Sequence, residues 1–321
     1  MPNPLPKLLE KYVGPAALPR ARQFALGVAQ DFWKDGPENP LGFIPGFGGK
    51  KTGSSAAAKA APAPAAPAQT LWHAEPGEIS EKMWGAGFVA PAGDAVTEML
   101  ITPLGLTKDM NVLDLSAGLG GRMRMATEKY GVYITGLEPD AGIAARGMEM
   151  SRRLGKGKHD AIAPYDPNNF LIEHSYDAII ARETFYRVTN LDKFLESLAA
   201  HTKPQAQVSF TDYIVNPEDR QRPAILAWQI FERGAKPLGL IETAQIWAKF
   251  GFTIRVHEDQ TDFYKKEVQG GLRRFSEFLA SSTKPDPETK KAMVRRVQTW
   301  AHRMAAMEQG MKFYRFYGVK R

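Results

Sequence analysis

The chain contains no cysteine. Disulfides and thiolate-held metals are therefore excluded. It also lacks any apolar run of about 18 residues, the length that reads as a membrane-crossing helix. No charged-then-apolar leader pattern opens the sequence, and a cytoplasmic protein is expected. Histidine is scarce. His73, His159, His174, His201, His257 and His302 never fall at an H-x-x-x-H spacing, so no metal site is expected. Acidic residues run short at the end of the chain. Residues 284–321 hold ten Lys/Arg against three Asp/Glu, which equals the net charge of +7 for all 321 residues. Two readings of that excess stay open: a solvated basic helix face, or attraction to an anionic substrate or an acidic membrane surface. Basic residues interleaved with aromatics occur only in the last ten residues, so no nucleic acid is expected as a partner.

What is present fits a globular protein, with 43% hydrophobic and 24% charged residues. Residues 53–70 carry nine alanines, three prolines and one charge, a composition that buries no core and reads as a linker. Ahead of it lies an arm, residues 1–52. Phe24, Val28 and Phe32 share one face of a helix expected within Pro15 to Lys34. That face suits docking on a protein partner or back on the main domain. The folded domain is expected over residues 71–321.

Within it, Asn111-Val-Leu-Asp-Leu-Ser-Ala-Gly-Leu-Gly-Gly121 reads as a buried strand, a glycine turn and the start of a helix. Glycine lets the backbone approach a ligand closely, and a helix N-terminus offers free N–H groups to an anion. Val132-Tyr-Ile-Thr-Gly-Leu-Glu138 reads as the next strand, closed by an acid that can accept from two ribose hydroxyls. Arg122 follows the glycines where a phosphate-binding P-loop needs Lys-Ser/Thr, and the spacing is not G-x-G-x-x-G.

The acid four residues before the first glycine resembles motif I of class I S-adenosylmethionine (SAM) methyltransferases. The resemblance implies SAM as cofactor. Asp114, Ser116, Gly118 and Gly120 would serve its methionine end, Glu138 the ribose, and Asp166, after a third strand, the adenine. Asp114 would hold that methionine end directly.

The remaining elements alternate. Strands are expected at 158–163, 176–181, 207–214, 250–256 and 312–319, with helices between them. This implies an α/β fold with helices on both sheet faces and sites at the strand C-termini. The resemblance sharpens it to a Rossmann-like, seven-stranded, mostly parallel sheet with an antiparallel C-terminal strand. A helical insertion at about 264–310 precedes that strand. There Met293, Val297, Trp300, Met304 and Met307 recur at helical spacing, a core stripe.

Two further stretches resemble small-molecule N-methyltransferases of the phosphoethanolamine and sarcosine type. Met83-Trp-Gly-Ala-Gly-Phe-Val89 is similar to their lid segment. Ala181-Arg-Glu-Thr-Phe-Tyr-Arg-Val188 is similar to the Ser-Arg-Asp-Thr-Ile-Leu-His-Ile stretch of phosphoethanolamine methyltransferases. Arg182 and Glu183 keep the charge pattern, while Arg187 stands where that group carries a histidine linked to catalysis. Arg182 counts among the residues around the cofactor. Glu183 and Tyr186 are the candidates to face the acceptor, or Arg182 and Glu183 pair with each other. His257 is a third catalytic candidate, since it leaves strand six towards the strand ends. The resulting expectation is SAM-dependent N- or O-methylation of a small-molecule or lipid-like acceptor. The rival is a non-catalytic scaffold of the same fold that works through its arm.

Overall fold

The computed structural model describes residues 71–321. The arm, its expected helix and the Ala/Pro linker lie outside the described residues. Seven strands form one sheet: β1 (Asn111–Asp114), β2 (Tyr133–Glu138), β3 (Asp160–Pro164), β4 (Tyr176–Arg182), β5 (Thr202–Ile214), β6 (Phe252–Asp259) and β7 (Lys312–Lys320). Their order is β3-β2-β1-β4-β5-β7-β6. Pairing is parallel from β3 to β5. β7 enters antiparallel between β5 and β6. This is the fold class the sequence implies.

The helices are α1 (Glu78–Trp84), α2 (Gly93–Ile101), α3 (Gly121–Tyr130), α4 (Ala141–Arg153), α5 (Leu191–Ala200), α6 (Pro223–Phe231), α7 (Leu240–Lys249), α8 (Thr261–Ser281) and α9 (Pro287–Glu308). Both sheet faces are covered, so the central strands are apolar on both sides. On β4, Ala178 and Ile180 pack under α2, α3 and α4, while Ile179 and Ala181 pack under α5 and α7. That split follows the two-residue side-chain alternation of a strand.

A third apolar cluster sits beyond the C-terminal ends of the strands. It joins Met83 and Trp84 of α1, Trp228 of α6, Tyr264 and Phe275 of α8, and Met293, Trp300 and Met307 of α9. The α8–α9 pair thus roofs the sheet end, and α1 is clamped beneath it.

Three features differ from the sequence reading. β5 begins at Thr202, ahead of an irregularity in its pairing with β4, and Gln205 there takes a left-handed φ of 64°. Pro204 and Gln205 concealed those first residues because neither favours a strand. α6 was not expected. Its opening proline is preorganised for a first helical turn, and the run after it is apolar on nearly every side. The third is α1, a helix of about two turns where the sequence reading has only a lid segment.

Candidate active site

The glycine turn after β1 needs its glycines. Gly118 and Gly120 have φ of 55° and 81°. A Cβ on Gly120 would come within 2.8 Å of Ile162, and one on Gly118 within 2.8 Å of Val89. L-residues avoid both the conformation and the contacts. The turn runs into α3, whose Gly121 N–H donates to the Gly87 carbonyl at 3.1 Å. The segment after α1 is thereby tied to the glycine loop.

Asp114 does not face the ligand side. It is wholly buried, and its carboxylate accepts from Arg122 Nε and Nη2 at 2.9 and 2.8 Å and from the Ser116 N–H at 2.9 Å. The expectation that Asp114 grips the methionine end directly is corrected: a bidentate guanidinium saturates it. Its action is to fix the loop. Ser116 passes the order on, accepting at Oγ from the Arg182 N–H at 2.7 Å.

Glu138 ends β2 as anticipated. Its carboxylate accepts from the Gly118 and Asp140 N–H groups at 2.9 and 3.0 Å. Burial pushes its pKa up against those two hydrogen bonds.

A cleft of about 390 Å³ opens at these strand ends. That volume lies in the range of small-molecule sites. Val89, Ser116, Glu138 and Asp140 line it together with Arg182, Glu183, Arg187, Arg296, Trp300 and Arg303. Asp166 is exposed at the rim, where it caps a short turn through the Asn168 N–H at 2.9 Å. Its neighbour Pro167 reaches the cleft.

Glu183 follows β4 in a left-handed backbone (φ 51°), an uncommon state for a residue with a side chain. Its carboxylate accepts from Tyr264 Oη at 2.5 Å, Arg303 Nη1 at 2.8 Å, Tyr213 Oη at 3.0 Å and Arg182 Nε at 3.3 Å. Burial alone would raise its pKa. The Arg303 and Arg182 guanidinia and the Tyr264 hydroxyl outweigh that and hold it below the ordinary glutamate value. Arg182 and Glu183 therefore both face the cleft and pair with each other.

Tyr186 and His257 are not brought to the cleft. Tyr186 is buried behind its wall, donating to Glu232 Oε2 at 2.8 Å and accepting from Arg303 Nη2 at 2.8 Å. His257 is exposed on β6, the outermost strand, opposite Phe316. Edge placement, rather than the strand terminus, sets its environment, and it is set aside as a catalytic group.

The side chains that organise the charged wall of the cleft were missed by sequence reading. Arg303 of α9 is 3% exposed. It grips Glu232 through Nε at 2.5 Å and Nη2 at 2.9 Å while also holding Glu183. Glu232, just after α6, accepts further from Trp228 Nε1 at 2.9 Å and Arg187 Nη2 at 3.2 Å. Burial disfavours its charge, yet the Arg303 and Arg187 cations and these hydrogen bonds hold its carboxyl far below the usual range. A signal did exist. Arg296 and Arg303 fall at the same helical spacing as Trp300, so the apolar stripe of α9 carries cations on its cleft side.

Among the described residues no cluster of His, Asp or Glu is fit to hold a metal ion.

Comparison with known proteins places this arrangement among methyltransferases. Residues 90–257, just over half of the chain, match a methyltransferase-domain family. The chain belongs to that methyltransferase-domain family. Phosphoethanolamine N-methyltransferase 1 of Zea mays is 24% identical over 210 residues, which are 64% of this chain and 41% of that protein. The phosphoethanolamine N-methyltransferase of Plasmodium falciparum is 22% identical over 198 residues, 60% of this chain and 72% of that one. The chain spans less than half the length of the plant relatives it matches. In structure, Haemonchus contortus phosphoethanolamine N-methyltransferase 2 bound to SAM superposes with a TM-score of 0.63 at 20% identity. That match covers 75% of this chain and 56% of the other, and the likeness is one of fold.

Proposed function

We propose that this chain transfers a methyl group from SAM to a small-molecule or lipid-like acceptor bound against the charged wall of the cleft. The observation that carries the reading is the continuity of that cleft. The same cleft takes in Ser116, just ahead of the glycine turn, the ribose-type acid Glu138, and a wall of charged and aromatic side chains. A nucleoside against Ser116 and Glu138 would leave room for an acceptor against that wall.

The residues fit the cofactor. Gly118 and Gly120 let the turn pack closely under Val89 and Ile162, which sets Ser116 and Glu138 at the cleft. Glu138, already an acceptor of two N–H groups, has the geometry to accept from sugar hydroxyls instead. When bound, SAM supplies an electrophilic methyl group on a sulfonium. Asp114 and Arg122 hold the loop in place, and Val89 with Ala90 covers the cleft and limits water, which favours a reaction that disperses charge. Glu183 acts as a fixed negative charge, because a carboxylate with four donors and a depressed pKa is a poor base. An amine acceptor that arrives neutral needs no base. Its own lone pair would serve as the nucleophile towards that methyl group, and any proton left on the product would pass to solvent.

Titration calorimetry with SAM tests the first step. Glu138→Ala is expected to weaken binding about tenfold to a hundredfold, the worth of a lost charged hydrogen-bond pair, with the fold retained. Unchanged affinity in Glu138→Ala, or no SAM binding by the wild-type chain, sinks the reading. Incubation with methyl-labelled SAM and a cell extract then identifies the acceptor by its label.

A further inference from the structure

Strands β1 to β5 run parallel, so their N-terminal ends gather on the side of the sheet opposite the cleft. α4 carries the chain back to that side, and the turn from α4 into β3 forms a tip there. Its sequence is Arg152-Arg-Leu-Gly-Lys-Gly-Lys-His159. The tip is ordered by its backbone. Gly155 takes a left-handed φ of 71°, its N–H donates to the Arg152 carbonyl at 2.9 Å, and the Lys156 N–H donates to the Ser151 carbonyl at 2.9 Å. This is a Schellman closure of α4. Such closures commonly place an apolar residue just after the glycine, folded back on the helix. Here Lys156 stands at that position, and the apolar residue comes before the glycine instead. It is Leu154, 61% exposed. A Cβ on Gly155 would meet no atom within 4 Å, so the tip projects. Next to it Tyr133 opens β2, about half exposed, with its ring stacked on His159 at 4.4 Å between centroids.

The charge around this apolar surface is not balanced. Arg153 pairs with Glu149 at 2.9 Å, and Lys156 meets Glu128 at 3.9 Å. Lys129 pairs with Glu98 at 2.7 Å. Asp160 is wholly buried, where the Thr127 hydroxyl and the Arg124 cation answer it. Lys108 and Asp109 follow one another on the turn that abuts Gly131, both exposed, and offset each other. Further along the same sheet end, Lys203 pairs with Asp177. Arg152 and Lys158 are left over. Both are exposed, and neither side chain has a hydrogen-bond or ion-pair partner among the described residues.

A single exposed leucine needs no explanation, and cations in the last turn of a helix suit its dipole. Neither point accounts for Lys158, which lies beyond the helix, or for apolar and aromatic surface set among unpaired cations. An anionic bilayer answers both features at once. Its headgroups meet Arg152 and Lys158, while leucine and tyrosine side chains favour the layer between headgroups and acyl chains. An acidic polypeptide would answer the charge and leave Leu154 without a role.

We infer that the α4–β3 tip is a docking site for an anionic lipid surface, with Leu154 and Tyr133 entering the headgroup layer and Arg152 and Lys158 meeting its negative charge. Docked by this tip, the chain holds its cleft away from the bilayer and open to solution. The membrane contact is then far from the basic C-terminal region.

The test is co-sedimentation of the full chain with two kinds of vesicle: phosphatidylcholine alone, and equal parts phosphatidylcholine and phosphatidylserine. The wild type is expected to pellet with the mixed vesicles, to stay in solution with pure phosphatidylcholine, and to be released by salt. Arg152→Glu combined with Lys158→Glu should weaken binding about tenfold or more, and Leu154→Ser about threefold or more. Lys291→Glu combined with Arg295→Glu, on the exposed side of α9, should leave it unchanged. Circular dichroism should show the same folded chain in every variant. The inference is overturned if the wild type ignores the mixed vesicles, if it binds both kinds equally, if the tip variants pellet as the wild type does, or if the α9 reversal releases the chain and the tip reversal does not. It is also overturned if soluble polyglutamate binds the wild type and Leu154→Ser alike while the mixed vesicles bind neither, since the tip would then recognise an acidic polypeptide.

Discussion

A guanidinium that is 3% exposed must satisfy five N–H donors inside the protein. Arg303 meets that demand with Glu232, Glu183, Tyr213 and Tyr186, which arrive from three different segments of the chain. Removing the cation strands two buried carboxylates. Arg303→Met is expected to lower stability by about 3–5 kcal/mol, the usual cost of breaking a buried pair from one side. Arg303→Lys should recover little, because a point charge cannot serve Glu232 with two N–H groups and Glu183 with a third. Urea unfolding measures both, and a loss below about 1 kcal/mol in Arg303→Met would show that the carboxylates find other partners. This residue also marks where sequence reading stops. Glu138 was legible because an acid that closes a strand after a glycine loop is a local pattern. Arg303 was not, since its partners Glu183 and Glu232 lie 120 and 71 residues away. Nothing short of the fold brings them together.

At the scale of elements, strands announced themselves more clearly than the covering pieces. β1, β2 and β4 are short apolar runs with abrupt ends, and α9 shows a clean apolar stripe. α1 is only seven residues long, and its stability comes from contacts made far away. Trp84 lies edge-on to Trp300 at 4.9 Å, and α8 meets α1 at Gly271. A methyl group on Gly271 would run into the Trp84 ring and sit 3.0 Å from the Met83 carbonyl oxygen. Alanine is the better helix former, so propensity alone predicts a gain of up to about 1 kcal/mol. Overpacking reverses the sign. Gly271→Ala is expected to cost about 1–3 kcal/mol and to loosen α1, whose following segment, from Gly85 to Ala90, covers the cleft. Hydrogen exchange should show faster opening at residues 79–90 while β1 and β4 stay protected. A variant more stable than the wild type, with unchanged exchange there, would mean that α1 does not lean on α8.

Taken as a whole molecule, the charge excess of the C-terminal region is divided between solvent and the cleft. Arg303 and Arg296 line the cleft, while Arg295 and Lys291 lie exposed. The fold also carries one carboxyl out of step with its surroundings. Asp212 lies in the buried C-terminal half of β5, accepts from the Tyr186 and Tyr213 N–H groups at 3.0 and 2.9 Å, and has its pKa pushed up to about 7. Burial is the main cause, and the nearby Glu183 charge adds to it, while the N–H groups act in the opposite direction. A folded pKa above the unfolded one means that the native state binds the proton more tightly. The stability it brings is complete below about pH 4, the ordinary aspartate value, and is lost as pH rises through 7. The slope reaches at most about 1.4 kcal/mol per pH unit. His302, stacked on Phe231 and pushed by burial down to about 4, acts oppositely: the unfolded chain takes up its proton more readily, so its contribution grows as pH rises towards 6.5. Net stability against pH therefore mixes the two, and the informative quantity is a difference. Asp212→Asn keeps one amide oxygen for an N–H group and cannot ionise, so its cost is constant with pH. Denaturant melts at pH 5, 6, 7 and 8 should show the wild type losing ground to Asp212→Asn as pH rises towards 7, then running parallel above it. Parallel curves across the whole range would place the Asp212 carboxylate in an environment that tolerates its charge, and the turn bearing Tyr186 and Arg187 would then be held independently of pH.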